Sequence, residues 1–309
     1  MAAALQPRSA APDVLTLVPA RVTLLASAFN SERFLPAWLE SLEAQTIWPD
    51  CELIVVANDP APAERERLDD FAARHPQVVV KTVPREPLYR SWNRAIAAAE
   101  APLLAIANVD DIRTSDGLER QVALLEERPE LSFAYGGFEI TLEFPPGPPV
   151  QVIRPEPFER ERFTRGMMLG PFFVWRASGD PATRFFDEQL RVAADMDLAV
   201  RLALHGEGAP VDGSLGFYYD GGTGLSTGGD AQKIEGAVLI LRYGIYDKLD
   251  VRYVPQAAEY VIPQLLMPGG EWLPVADVVP DYAAFLAGRR ERWFAPPRTM
   301  RQRVRETLR

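Results

Sequence analysis

An apolar run that ends in two adjacent acids limits the folds open to this sequence. Residues 103–107, Leu-Leu-Ala-Ile-Ala, have the composition of a buried strand, and Asn108, Val109, Asp110 and Asp111 follow directly. Neighbouring carboxylates at the end of a buried strand are costly to desolvate unless a cation meets them. In open α/β sheets, ligands bind at the carboxyl ends of the strands. The pattern therefore favours a sheet edge where a divalent metal holds a nucleotide diphosphate.

Short apolar runs alternate with amphipathic segments along the chain. The predicted strands are residues 22–26, 53–56, 78–83, 103–107, 131–140 and 170–176. The predicted helices begin at about residue 31, with Ser31 as N-cap, and then cover 63–75, 89–99, 116–127 and 195–205. This alternation is typical of an α/β fold with a mostly parallel sheet flanked by helices.

A proline-rich segment, residues 144–149, interrupts this pattern, because its prolines exclude both a helix and a central strand. We expect it to divide a domain of residues 21–228 into a donor half, 21–143, and an acceptor half, 150–228. The remaining segments are 1–20, predicted to be flexible, and 229–309, predicted to be a mostly helical extension. A flexible loop is predicted at residues 221–226, where glycines cluster.

Composition excludes several classes of function. The net charge of -10 argues against nucleic acid as a partner, because a phosphate backbone needs a basic surface. The single cysteine, Cys51, excludes an internal disulfide and a multi-cysteine zinc site. With two histidines in the chain, carboxylates are the expected carriers of any chemistry. No apolar run is long enough for a transmembrane helix, so a cytoplasmic location is the default expectation.

Several short motifs follow one another in a fixed order. They are residues 22–30, 35–42, 45–46, 89–95, 108–111, 170–176, 186–188 and 194–201. In this order the motifs resemble the inverting glycosyltransferases of family 2, which have the Rossmann-like GT-A fold. The resemblance covers about residues 21–226.

The resemblance implies a set of donor-binding residues. They are Ala28, Phe29, Asn30, Asn58, Asp59, Asn93 and Asp110. Phe29 would offer a flat face to the nucleotide base, and a core phenylalanine is the alternative. Ala57 stands where relatives usually carry the first acid that contacts the base, so that role would pass to Asn58 or Asp59.

The resemblance also implies a metal site at the acid pair. Asp111 would bind Mg²⁺ or Mn²⁺, and Asp110 would contact the ribose or a metal-bound water. Such ions are usually held by one or two carboxylates together with substrate phosphates. The alternative is a surface acidic turn that caps the next helix.

Asp195 matches the acid that serves as general base in the family. Such a base takes the proton of the acceptor hydroxyl as that hydroxyl attacks the sugar. Ala194 stands where a glutamate is usual, and Asp197 is a rival acid two residues on. A purely structural role for Asp195 as a helix N-cap is the alternative.

The leading hypothesis is a metal-dependent inverting glycosyltransferase. It would move a sugar from a nucleoside-diphosphate sugar to a hydroxyl of a glycan, a lipid-linked saccharide or a small molecule. A non-catalytic nucleotide-sugar-binding module of the same fold is the alternative. Oligomeric state is open, with a homodimer as one option.

The last residues, 289–309, are rich in arginine. This basic tail would suit peripheral contact with the inner face of an anionic membrane. A solvated helix, or contact with the acidic body of the protein, is the alternative.

Overall fold

The computed structural model describes residues 19–165, 169–222, 230–243, 250–253, 256–257, 264–266 and 272–274. Residues 1–18 of the predicted flexible segment 1–20, most of the predicted loop 221–226 and the basic tail lie outside these described residues.

Within the described residues, nine strands form one sheet. They are β1 (Val22–Ala28), β2 (Cys51–Asn58), β3 (Val78–Val83), β4 (Leu103–Ile106), β5 (Ile112–Arg113), β6 (Leu131–Thr141), β7 (Gln151–Ile153), β8 (Val174–Arg176) and β9 (Glu207–Tyr219). Their spatial order is β3-β2-β1-β4-β8-β6-β9-β5, with β7 paired to β6. The first four are parallel, whereas β8 runs antiparallel to both β4 and β6.

Helices cover both faces of this sheet. They are α1 (Leu35–Glu43), α2 (Pro62–Arg74), α3 (Leu88–Ala98), α4 (Gly117–Glu127), α5 (Arg160–Arg165), α6 (Pro181–Arg184), α7 (Ala194–His205) and α8 (Ala231–Tyr243). Two further strands, β10 (Gln264–Leu266) and β11 (Trp272–Pro274), form a separate antiparallel pair. The predicted α/β class with a mostly parallel first half is confirmed.

The alternation of side chains along β1 divides the core into two layers. Leu24 and Ala26 point to one face, where α1, α2 and α4 pack, and Leu25 points to the other, where α3, α7 and α8 pack. Successive side chains of a strand lie on opposite faces, so a strand buried on both sides is apolar throughout. This explains the apolar runs in the central parts of β1 and β2 and throughout β4, whereas the edge strand β3 is only partly buried and carries Lys81 and Thr82.

The first helix begins later than predicted. It starts at Leu35, and its N-cap position is Phe34. The prediction that Ser31 caps it is wrong, because both the backbone N–H and the hydroxyl of Ser31 donate to the carboxylate of Glu64 in α2. The Ser31 side chain is thus directed to a tertiary partner, and α1 begins after Phe34 without a side-chain cap.

Strand β9 was not predicted. Pro210 and several glycines lie in it, and such residues usually indicate a turn. It is nonetheless paired with β6 on one side and β5 on the other. A side chain at Gly208 would collide with the ring of Phe133, so glycine is needed there for close packing. Gly213, with φ of 80°, lies where the β6–β9 register shifts.

The proline-rich segment 144–149 lies in the connection between β6 and β7, which pair antiparallel. The predicted strand at residues 170–176 is shorter in the structure, where β8 begins only at Val174. Among the described residues, no helix has the length and apolar character needed to cross a membrane.

A matched pair of leucines tests the core. Leu24 is fully buried in β1, whereas Leu142 is 58% exposed. We expect Leu24→Ala to lower the free energy of unfolding by about 2 to 5 kcal/mol, because it removes buried contacts and leaves a cavity. Leu142→Ala should change it by less than about 0.5 kcal/mol. Urea denaturation measures both, and equal effects would contradict the assignment of β1 to the core.

Candidate functional site

The carboxyl ends of β1, β2 and β4 bring three short segments to one sheet edge. The register pairs Ala28 with Ala57 and Leu25 with Ile106. The residues that follow these strands therefore leave the sheet side by side. Asn30 and Asp59 have positive φ values of 50° and 51°, in a region where asparagine and aspartate are better tolerated than most residues. The predicted donor residues Phe29, Asn30, Asn58 and Asp59 and the acid pair thus belong to one edge.

The acid pair lies in the turn directly after β4. Asp111 is buried and accepts hydrogen bonds from Asn108 Nδ2 at 2.8 Å and from the backbone N–H of Tyr219 at 3.2 Å. Burial raises the pKa of the Asp111 carboxyl, and the neighbouring charge of Asp110 raises it further. Burial also raises the pKa of Asp110, which is half-buried. In the described part of the chain, neither carboxylate forms an ion pair with a basic side chain.

Arg113, in β5, is a buried cation next to this turn. Its buried guanidinium donates to the carbonyl oxygen of Ile106 at 3.0 Å and to Gln121 Oε1 at 3.1 Å. Burial lowers its pKa to about 10, while the charge of Asp111 favours its protonated form. Sequence reasoning missed this residue, because the two-residue strand β5 has no pattern that predicts it.

Arg33 is a second cation near the acids. Its guanidinium carbon lies 4.2 Å from the centroid of the Phe34 ring and 5.6 Å from that of Tyr219. Its charge acts to lower the pKa of Asp110, although burial of Asp110 outweighs it. The side chain is exposed, so Arg33 brings a solvent-facing positive charge to the edge that carries the acid pair.

Phe29 follows β1 and is 38% exposed, which contradicts the alternative that it is a core residue. The guanidinium carbon of Arg85 lies 3.5 Å from its ring centroid, so one ring face is covered. Contacts of this kind are favourable because the ring face carries negative potential. A base that stacks on Phe29 must use the other face or displace Arg85.

Asn58 and Asn93 have protein partners in this structure. The Asn58 amide donates to the carbonyl of Glu86 at 2.8 Å and accepts from its N–H at 2.9 Å. The Asn93 amide makes the same pair of bonds with the backbone of Phe186, both at 2.9 Å. Both amides therefore fasten loops, and their assignment to the nucleotide stays a prediction.

Asp195 lies in the first turn of α7. Its Oδ1 accepts from the hydroxyl of Tyr89 at 3.2 Å and from the N–H of Met196 at 2.9 Å. Burial raises its pKa, and no basic side chain among the described residues pairs with it. A carboxylate with a raised pKa holds a proton more firmly, which suits a general base.

Asp197 has a different environment. It is fully buried, and it pairs with Arg201 at 2.8 Å and with Arg242. The Tyr243 hydroxyl also donates to it at 2.7 Å. Burial opposes ionisation, but the two guanidinium groups hold its pKa below the ordinary value. Both carboxylate oxygens are thus occupied in a structural network.

Tyr89 connects Asp195 to the sheet edge. It lies in the first turn of α3. The loop before α3 is held by Asn58, the last residue of β2, through its bond to Glu86. Burial raises the pKa of Tyr89 well above its ordinary value, so its hydroxyl stays protonated and donates. Tyr89 belongs to a motif noted in the sequence, yet only its contact with Asp195, 106 residues away, indicates this role.

The acid pair has the chemistry of a site for Mg²⁺ or Mn²⁺. Two adjacent carboxylates with raised pKa values and no basic partner would be stabilised by a divalent cation. Among the described residues, no group of three or more histidine, cysteine, aspartate or glutamate side chains forms a metal site. A site completed by substrate phosphates needs only one or two carboxylates. The residues therefore fit such an ion.

Comparison with known proteins gives a family and a fold. The family model described as Glycosyl transferase family 2 matches residues 23–177, half of the chain. No curated protein matches the chain significantly.

Several solved structures are similar in fold. S. aureus TarS 1-349 in complex with UDP-GlcNAc is 15% identical with a TM-score of 0.57, over 78% of this chain and 71% of that one. The mannosyltransferase PcManGT from Pyrobaculum calidifontis, in complex with GDP-Man and Mn²⁺, is 15% identical with a TM-score of 0.51, over 94% of this chain and 86% of that one. These likenesses support the GT-A fold.

The two acids of α7 allow a test of stability. We expect Asp197→Asn to lower the free energy of unfolding at pH 7 by about 3 to 5 kcal/mol, because buried Arg201 loses its carboxylate partner and buried Arg242 keeps only Asp187 among the described residues. Asp195→Asn should not lower it, since it removes a charge whose burial is unfavourable.

The pH dependence follows from the lowered pKa of Asp197. Its contribution is complete above the ordinary aspartate pKa of about 3.9. This contribution to stability is lost as the pH falls through the lowered pKa of Asp197 in the folded protein. The free energies of unfolding of wild type and Asp197→Asn should therefore converge in acid. Urea denaturation between pH 7 and pH 3 measures this. An equal loss in the free energy of unfolding in Asp197→Asn and Asp195→Asn at pH 7 would contradict the different environments assigned to the two acids.

Proposed function

The chain belongs to glycosyl transferase family 2 and is a glycosyltransferase, and we propose that it transfers a sugar from a nucleoside-diphosphate sugar to a hydroxyl, with a divalent metal and with inversion. The observation that carries this proposal is the acid pair at the end of β4, which forms no ion pair with any basic side chain that the structure describes. Asp195 belongs to the same edge through its contact with Tyr89.

The complexes of the structural neighbours support the donor class. TarS has been solved with UDP and with UDP-GlcNAc, and PcManGT with GDP-Man and Mn²⁺. At 14 to 15% identity they support a nucleoside-diphosphate sugar without choosing the base or the sugar. The acceptor remains a glycan, a lipid-linked saccharide or a small molecule.

Asp111 and Asp110 would hold the metal, which supplies charge neutralisation to the departing diphosphate when bound. Asn108 and the N–H of Tyr219 orient the Asp111 carboxylate. Arg113 compensates part of its charge from the buried side. Phe29, exposed at the end of β1, would stack against the base, and Asp59 lies exposed at the end of β2.

Asp195 would carry out the proton transfer. As the acceptor hydroxyl attacks the anomeric carbon, a new carbon–oxygen bond forms and the hydroxyl proton passes to the Asp195 carboxylate. The bond from the anomeric carbon to the diphosphate breaks, and its electron pair leaves with the phosphate oxygen. Tyr89 holds Oδ1 of Asp195 in place throughout. One displacement of this kind inverts the anomeric centre.

Nucleotide binding should depend on metal and on Asp111. We expect UDP or GDP with Mn²⁺ to raise the Tm of the protein, since saturation at about 100 times Kd contributes about 2.7 kcal/mol. The rise should be much smaller without Mn²⁺ and should vanish in Asp111→Asn. Asp116→Asn, a change at an exposed acid that pairs with Arg120, is the matched control and should respond as wild type does. If no nucleotide raises the Tm with Mn²⁺ present, the donor site is wrongly placed.

Transfer should depend on Asp195. We expect Asp195→Asn to lower kcat by about 100-fold or more, because a general base is lost, while the Tm rise with nucleotide and Mn²⁺ is retained. In wild type, kcat should fall with decreasing pH through the raised pKa of Asp195. Asp212→Asn, at an exposed position in β9, should keep wild-type kcat. Full activity in Asp195→Asn, measured as nucleotide release with acceptor, would remove this residue from its role.

A further inference from the structure

The buried carboxylate of Glu235 contacts the backbone directly before α7, the helix that carries Asp195. Glu235 lies in α8, beyond residues 23–177, and is fully buried. Its Oε1 accepts from the N–H of Arg191 at 2.8 Å. Its Oε2 accepts from the N–H of Val192 at 2.8 Å and of Ala193 at 3.0 Å. These three backbone donors come directly before α7 and Asp195.

The charge of Glu235 is buried, and burial of a charge is unfavourable unless the group has partners. A carboxylate removed from water is destabilised unless charged or polar partners replace the water. The partners of Glu235 are three N–H groups at the amino end of a helix, where the helix dipole also favours negative charge. The backbone that leads into Asp195 is thereby fixed by a side chain of another element.

A second contact holds α8 against the same helix. Arg242 pairs with Asp187 at 2.9 Å and with Asp197. Apolar residues between these two anchors, including Val238 and Leu241, pack in the same core as Leu198 of α7. The two helices are therefore joined by a carboxylate at one end, an ion network at the other and apolar contacts between them.

We propose that Glu235 is a positioning residue for the general base, so that α8 forms part of the acceptor side of the active site. This inference rests on the proposed role of Asp195. Glu235 fixes the 191–193 backbone, and its negative charge adds to the electrostatic environment of the base.

The charges around Asp195 come from three elements. The titratable or charged groups are Tyr89 on α3, Asp197 and Arg201 on α7, and Glu235, Arg242 and Tyr243 on α8. Asp197 is neutralised by its two arginines, whereas the partners of Glu235 within the described residues are backbone N–H groups. Burial is the main cause that raises the pKa of Asp195. The hydrogen bonds from Met196 and Tyr89 lower this pKa, and the charge of Glu235 raises it by a smaller amount. Removal of this charge should make Asp195 a weaker base.

Glu235→Gln tests the proposal, because it keeps the size of the side chain but replaces one acceptor with an amide NH₂. We expect kcat to fall by about 10-fold, since small displacements of a catalytic group are costly. The acid limb of the kcat–pH profile should move to lower pH. The Tm rise with UDP or GDP and Mn²⁺ should be kept, because the donor edge is intact.

Three further variants separate positioning from general stability. Val238→Ala loosens the packing of α8 without changing charge and should leave the acid limb in place. Glu235→Asp keeps the charge with a shorter reach, so kcat should fall while the acid limb stays. Glu126→Gln, at a surface carboxylate paired with Arg21, should behave as wild type.

The outcomes are distinct. Wild-type kcat and pH profile in Glu235→Gln, with Asp195→Asn inactive, would overturn this inference alone. A lower kcat with an unmoved acid limb, matched by Val238→Ala, would also overturn it, because Glu235 would then only stabilise α8. If Glu235→Gln does not fold, wild-type kcat in Glu235→Asp would overturn the proposal. Full activity in Asp195→Asn would instead overturn the proposed function itself.

Discussion

Two carboxylates held together at the end of β4 impose the strongest constraint on this molecule. Asp111 is buried beside Asp110, and each makes ionisation of the other less favourable. The surrounding residues reduce this cost only in part, through two neutral donors to Asp111 and the charges of Arg113 and Arg33. In the proposed function, an exogenous divalent cation would complete this site. The fold can thus be described as a scaffold that brings loops from β1, β2 and β9 around one unbalanced negative charge.

The helix α7 shows how environment divides two acids of the same type. Asp195 and Asp197 are two residues apart. Asp197 is paired with Arg201 and Arg242, whereas the donors to Asp195 in the described part of the chain are a hydroxyl and an amide. The two arginines lower the pKa of Asp197 and so make it a weaker base. Burial raises the pKa of Asp195, which has no basic partner among the described residues, and so makes it a stronger base. The buried arginine network also joins α7 to α8, so the first turn of one helix carries both a structural acid and the proposed base.

Much of the fold follows from local patterns, because β1 to β4 are apolar runs and α3, α4 and α7 have clear helical spacing. The boundaries of β3 were predicted to the residue. What failed depends on distant partners. Ser31 donates to Glu64 instead of capping α1, and β9 forms despite its glycines because neighbours pair with it on both sides. At the site, the acid pair and Asp195 could be named from motifs, and their assigned roles stay predictions. The roles of Tyr89 and Glu235 could not be inferred, since their contacts join residues far apart in sequence, and Arg113 lies in a strand too short to be predicted.

The pairing of β8 with both β4 and β6 has a mechanical consequence. β4 and β6 belong to the predicted donor half and β8 to the predicted acceptor half, so backbone hydrogen bonds run across the boundary between them. Moving the halves apart would break a continuous ladder in the middle of the sheet, which is far costlier than moving a loop. We therefore expect the two predicted halves to keep a fixed relative position, with larger motions confined to loops outside this ladder.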